Sequence, residues 1–155
     1  MISFDARRLT NALVKVEAAC DSLPQIAAEV APEALGHMII SANRSVYETA
    51  PGAYQRTRDY LRGFRSAPRA TRNTATVRVW NDVDYAERVE LGESPHALTP
   101  QQVVAYAQTS ATSQVYLGRT GRNYTLSGPA VYPAAVYAQR RMEELFVRKV
   151  QAAWR

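Results

Sequence analysis

The sequence predicts a single α+β domain over residues 1–155, a small antiparallel sheet packed by N-terminal and C-terminal helices, with an extended loop or hairpin arm. Three observations predict it. Apolar residues recur at helical spacing near both ends, a central stretch alternates with a period of two, and a Ser/Thr/Gln/Gly-rich run over 93–128 separates that stretch from the last helix. The 46% hydrophobic and 21% charged content of the 155 residues is enough apolar material for one core and too much for general disorder.

Leu9, Leu13, Val16, Cys20 and Leu23 step by four and three, which puts them on one stripe of a helix from about Asp5 to Ser22. That stripe is expected to face the core, with Cys20 a small core residue. Pro24 opens a second helix carrying Ile26, Val30, Leu35, Met38 and Ile39, with Pro32 either kinking it or marking a fresh start, and it should end near Asn43. Tyr47 to Tyr54 reads as a loop around Pro51-Gly52.

Thr74 to Trp80 alternates, with Val77 and Val79 on one face and Thr76, Arg78 and Trp80 on the other. Asn81 to Asp84 reads as a turn and Tyr85 to Leu91 as the returning strand, with a third strand around Arg62 to Ala67. Within 93–128, Thr99-Pro100-Gln101-Gln102 has the form of a capping box, so a short helix should cover about Pro100 to Gln108. The rest of that run is a projecting arm or insertion, in which Gly118 to Asn123 tips a hairpin or a loop that orders only in an assembly. Pro133 begins the last helix, with Ala138, Met142, Leu145, Phe146, Val150, Ala153 and Trp154 along one stripe and Glu144 between Arg140 and Arg148.

The N-terminus, Met1 to Arg8, has no apolar segment behind its charges, and no run approaches the roughly 20 apolar residues of a membrane span. Neither a signal peptide nor membrane contact is expected. A lone cysteine forms no intrachain disulfide and no multi-cysteine zinc site. His37 and His96 are the two histidines, neither in a catalytic setting, and no phosphate loop or dinucleotide fingerprint occurs. Asp82, Asp84, Glu87, Glu90 and Glu93 would be the best metal candidates, but both lysines, Lys15 and Lys149, lie far off in the terminal helices, so a solvated or arginine-paired edge is expected instead. The expectation is therefore no catalysis, no metal and no cofactor.

The net charge of +5 is unevenly spread. Residues 44–78 hold Arg44, Arg56, Arg58, Arg62, Arg65, Arg69, Arg72 and Arg78 against Glu48 and Asp59, whereas the five acids from Asp82 to Glu93 face only Arg88 over 79–118. Blocks of opposite sign suit a subunit that meets its own neighbour. The arginine strip, interleaved with Tyr47, Tyr54, Tyr60 and Phe64, also allows an alternative reading as a non-specific DNA-binding module.

Two elements carry a family resemblance. The first is Tyr54-Gln55-Arg56-Thr57-Arg58-Asp59-Tyr60-Leu61-Arg62, after a helix and a Pro-Gly loop; the second, after a strand, is Val83-Asp84-Tyr85-Ala86-Glu87-Arg88-Val89-Glu90-Leu91-Gly92. Together they resemble the head–tail joining and tail-completion family of tailed bacteriophages, which includes neck and minor-tail-protein-Z-like proteins. The family's Pro-x-x-Thr-Gly-x-Leu-Arg is matched by Arg56-Thr57 and Leu61-Arg62, with Arg58 in place of its glycine and a longer spacing. Its Tyr-Ala-x-x-Val-Glu-Phe-Gly is matched by Tyr85, Ala86, Val89, Glu90 and Gly92, with Leu91 for the aromatic. The resemblance covers about Ala34 to Gly92 and, more loosely, Pro129-Ala130 or Pro133-Ala134.

What the resemblance implies is a structural virion subunit, assembled in the host cytoplasm. It would form a homo-oligomeric ring, a hexamer with a dodecamer as the alternative, in the neck or at the tail terminus. Its partners would be a head-closure or adaptor protein and the tail tube protein, with transient non-specific DNA contact. Arg56, Arg58 and Arg62 of one copy would then lie against Glu87, Glu90 or Glu93 of the next, and Tyr116, Arg119, Arg122 and Tyr124 would reach an adjacent ring.

Overall fold

The computed structural model describes residues 6–52 and 56–154. Helix α1 (Ala6–Cys20) is followed by α2 (Leu23–Ala42), which widens into a π-helical turn at Asn43–Tyr47. A single turn, α3 (Asp59–Arg62), leads into β1 (Phe64–Ala70) and β2 (Ala75–Asn81), and then come α4 (Ala86–Leu91), α5 (Pro100–Thr109) and α6 (Val131–Trp154). The α+β class holds, with a small antiparallel sheet and helices against it.

The centre of the fold is α2. Ile26, Ala27, Val30, Ala31, Ala34, Met38 and Ala42 are buried on several sides of it, as a helix enclosed by neighbours requires. Its alanines let α6 and the hairpin approach closely, and Ser66 of β1 donates to the carbonyl of Ala31 at 2.7 Å. The helix runs through Pro32, whose exposed position accommodates the ring at the loss of one main-chain hydrogen bond. β1 and β2 pair from Phe64 opposite Asn81 to Ala70 opposite Ala75. Val77 and Val79 turn inward against Ile26, Val30, Ala34 and Ala138, the facing that alternation predicts. A second cluster gathers Met38, Val46, Tyr60, Phe64, Val89 and Ala134, with the Tyr60 and Phe64 rings edge to face at 4.8 Å, a geometry worth about 0.5–1.5 kcal/mol beyond area burial.

Five expectations are corrected. Tyr85 to Leu91 is not a strand: Ala86 to Leu91 are compatible with a helical turn, and Ala86, Val89 and Glu90 at spacings of three and four all reach the interior. The partner of β2 is therefore the stretch beginning near Arg62, and among the described residues the sheet has two strands. The α1 stripe does not enter the core, since Leu9 and Leu13 are 47% and 61% exposed and Cys20 is half-buried, because α1 lies at the rim against α6. Residues 93–128 do not project: α5 packs on α6, and Ala107, Val115 and Val136 close a third cluster, so the run gains apolar burial by folding down. Finally, Glu144 pairs with Arg141 and Arg148, while Arg140 turns to the carbonyl of Ser110 at 2.6 Å and to Ser113 Oγ at 3.0 Å.

The capping box is present in full. Thr99 Oγ1 accepts from the Gln102 N–H, and Gln102 returns a bond to the Thr99 N–H at 2.8 Å. Thr99→Ala should therefore cost about 1 kcal/mol, seen as a fall of about 2–4 °C in the melting temperature.

Candidate functional site

Glu90 is 3% exposed at the inner end of α4. Its carboxylate accepts the main-chain N–H groups of Ala130 at 3.0 Å and Val131 at 2.9 Å, at the start of α6, and the hydroxyl of Tyr60 from α3. Unpaired N–H groups at a helix start attract an acceptor, and here the acceptor is an internal side chain. Burial raises the Glu90 carboxyl above its ordinary 4.5, against the lowering effect of Tyr60 and of the main-chain donors of Val131, Ala130 and Tyr132. Burial, then the charge of Glu90, pushes the Tyr60 phenol well above its usual 10.0. One carboxyl thus ties α3, α4 and α6 together.

The main chain around Glu90 completes the joint. Ser127 donates its hydroxyl to the Glu90 carbonyl, Gly128 N–H bonds the Val89 carbonyl at 2.8 Å, and Glu93 N–H bonds the Thr125 carbonyl at 2.7 Å. Gly92 makes that crossing at φ +79° and ψ −173°, a conformation almost confined to glycine. Arg119, 7% exposed, lies alongside and donates to the Leu126 carbonyl at 2.7 Å. Its Nε is buried without a hydrogen-bond partner among the described residues.

Above this joint lie two adjacent cavities that share Tyr85 and Val89. One, of about 310 Å³, is lined by Tyr47, Arg56, Thr57 and Tyr60 as well. The other, of about 500 Å³, adds Arg88, Glu93, Arg119 and Tyr124. Residues of both sequence elements and of the 93–128 run therefore meet on one surface. Leu61 is packed beside the core, Ala86 is buried, and Tyr85 stays exposed at 41%.

The expected charge contacts divide. Arg56 is committed within its own chain: it donates to the carbonyls of Tyr47, Thr49 and Ala50 at 2.9, 3.1 and 3.0 Å, stitching the loop that follows the π turn. Glu90 is buried. Burial withdraws Glu90 from the surface, whereas Arg56 stays half-buried with much of its guanidinium spent on its own loop. Arg58 and Arg62 are exposed, the latter 3.6 Å from Asp59, as is Glu87, and Glu93 is half-buried. Of the arm candidates, Tyr116, Arg122 and Tyr124 are exposed and Arg119 is not. Tyr54, at the start of the first element, lies outside the described residues.

The arginine strip is dispersed as well. Arg44 meets Gln114 and Tyr116 at 3.0 and 3.1 Å, and Arg72 reaches Glu17 of α1. Arg65, Arg69 and Arg78 remain together on the hairpin. His37 is a buried structural residue: Nε2–H donates to the Thr112 carbonyl at 3.0 Å, its ring stacks on Tyr137 at 4.7 Å, and burial lowers its pKa from 6.5. Asp82, Asp84, Glu87 and Glu93 do not converge with Glu90, and among the described residues no three His, Cys, Asp or Glu groups are placed to hold a metal ion.

The sequence reading missed Ser127 and the start of α6 as partners of Glu90. The available signal is a carboxylate beside Ala86 and Val89 on one helical face, which a period-of-two reading of the same residues hides. What fold and site define is a small α+β domain whose central acid is a structural joint beneath a two-part surface groove. No family model, curated protein or solved structure matches the chain.

Proposed function

We propose that this chain is a structural virion protein of a tailed phage, a ring-forming neck or tail-terminator subunit that joins the head-closure layer to the tail tube around the DNA channel, without catalysis of its own. The observation that carries the reading is the convergence of both elements of the resemblance, Arg56 and Thr57 with Tyr85 and Val89, and of Arg119 and Tyr124, around two adjoining cavities. In that setting the motif's acid serves as a fastening, because Glu90 spends its oxygens on Tyr60 and the start of α6. The groove suits the seating of side chains from a neighbouring protein better than the holding of a reacting centre. The exposed Leu9, Leu13 and Val14 on α1 give the same molecule further apolar surface for contact.

In a heterologous ring each copy offers one patch to a different patch of the next. With Arg56 and Glu90 internally committed, the pairing that remains sets Arg58 and Arg62 against Glu87 and Glu93, in a hexamer inside the virion neck. Purified protein should form closed rings in electron microscopy. Arg62→Glu should shift them toward smaller species by light scattering, since like charges across a contact weaken it. A wild-type chain that stays monomeric at every concentration would overturn the ring reading. Rings that persist unchanged in Arg62→Glu would remove Arg62 from the contact.

A further inference from the structure

The β1–β2 ribbon turns one face to α2 and α6 and leaves the other outward. Residues directly opposite in an antiparallel pair share a face, so the outer face carries Arg65 beside Trp80, Ala67 beside Arg78 and Arg69 beside Thr76. Arg65 and Arg69 stand about 13 Å apart at the usual rise of a strand, and Arg78 sits across the ribbon between them. The Arg78 guanidinium lies 4.9 Å from the centre of the Trp80 ring, and the indole N–H is fixed by Asp82 at 2.7 Å. Asp82 also binds Arg65 Nε at 3.0 Å, which balances one of the three charges. Among the described residues no carboxylate lies within ion-pair distance of Arg69 or Arg78.

We infer that this face meets the sugar–phosphate backbone of duplex DNA. A duplex carries one negative charge per ~1.7 Å of axis, so a patch of about 13 Å always faces several phosphates whatever the register. The cationic groups are all arginine, whose planar fork suits phosphate oxygens. The ribbon presents them on an open face, without a helix or loop to enter a groove, so contact is to the backbone and blind to sequence. Two uncompensated guanidinium groups per subunit make a contact that is weak and salt-labile, which suits DNA that must slide past. The place of this face at the channel rests on the neck reading; the contact itself does not.

The test is a fluorescence-anisotropy titration of a labelled duplex with the full chain over a range of salt, with electron microscopy of the same samples. Each contacting subunit should lose about 12-fold in affinity through Arg69 and Arg78 between about 50 and about 200 mM salt, from a slope near −0.9 per phosphate contact. R69Q/R78Q should lose that component and keep its far-UV circular dichroism and melting temperature, whereas R148Q/K149Q, with the same change in net charge on α6, should bind as wild type does. Equal loss in both variants would reduce the effect to net charge and overturn the inference. So would undiminished binding by R69Q/R78Q, or retention of polyaspartate but not of duplex, which would point to an acidic protein partner. Rings without duplex binding would leave the neck reading standing and this one refuted; binding without rings would do the reverse.

Discussion

Gly92→Ala should destabilise the chain by about 3–5 kcal/mol, from backbone strain of about 1–3 kcal/mol together with a collision that flexible side chains cannot relieve. At φ +79° and ψ −173° the residue occupies a region that alanine avoids. An added Cβ would stand 2.6 Å from the Thr125 carbonyl oxygen and 2.9 Å from the Ser127 nitrogen, both main chain. The 125–128 segment would have to lift off α4, taking with it the Gly128-to-Val89 and Glu93-to-Thr125 hydrogen bonds. Gly118 provides the control. It also has positive φ, +78°, but its Cβ would meet nothing nearer than a Leu126 methyl at 3.8 Å, so Gly118→Ala should cost only about 1–2 kcal/mol. Urea midpoints of the two variants give the comparison, and equal values would mean that the crossing at Gly92 is not tight.

The contrast shows what kind of information the sequence carries. The resemblance singled out Gly92, yet no spacing rule states that its neighbours in space are residues 125–127. Features set by local sequence were legible: the Thr99 capping box, the alternation of Val77 and Val79 and the long stretch of α2. Features that depend on a distant element were not. Tyr85 to Leu91 satisfies a period of two and a period near four equally well over so short a run, and what decides for helix is Glu90 reaching the start of α6, some forty residues on. Leu9 and Leu13 share a stripe that a helix would bury if a neighbour lay there, and none of the described elements covers it. The local commitments of the charged residues were hidden for the same reason. Charge counts alone cannot tell that Arg56 is consumed by three carbonyls of its own loop, while Arg62 remains exposed.

Glu90→Ala should cost at least about 3 kcal/mol, because it leaves the Ala130 and Val131 N–H groups and the Tyr60 hydroxyl without an acceptor in the core, each worth about 1–3 kcal/mol when orphaned. The melting temperature should fall by about 10 °C, at roughly 2–4 °C per kcal/mol for a chain of this size. Glu90→Gln separates shape from charge: its amide oxygen can take the two main-chain donors and its amide N–H can bond Tyr60, so most of the loss should be recovered. The acid also leaves a signature in pH. Its folded pKa is raised above the ordinary 4.5, so the folded state holds the proton longer than the unfolded chain does. Below about pH 4.5 both states are protonated and Glu90 contributes no slope; as pH rises through the raised folded value, stability falls. His37 works in the opposite sense, since burial lowers its pKa, and stability gained through it increases as pH rises toward 6.5. Taking the difference between wild type and Glu90→Gln cancels the histidine and leaves the carboxyl. Urea midpoints measured from pH 4 upward should show wild type losing ground to Glu90→Gln as the carboxyl ionises. A difference that stays flat with pH would mean that the buried acid does not titrate differently in the two states.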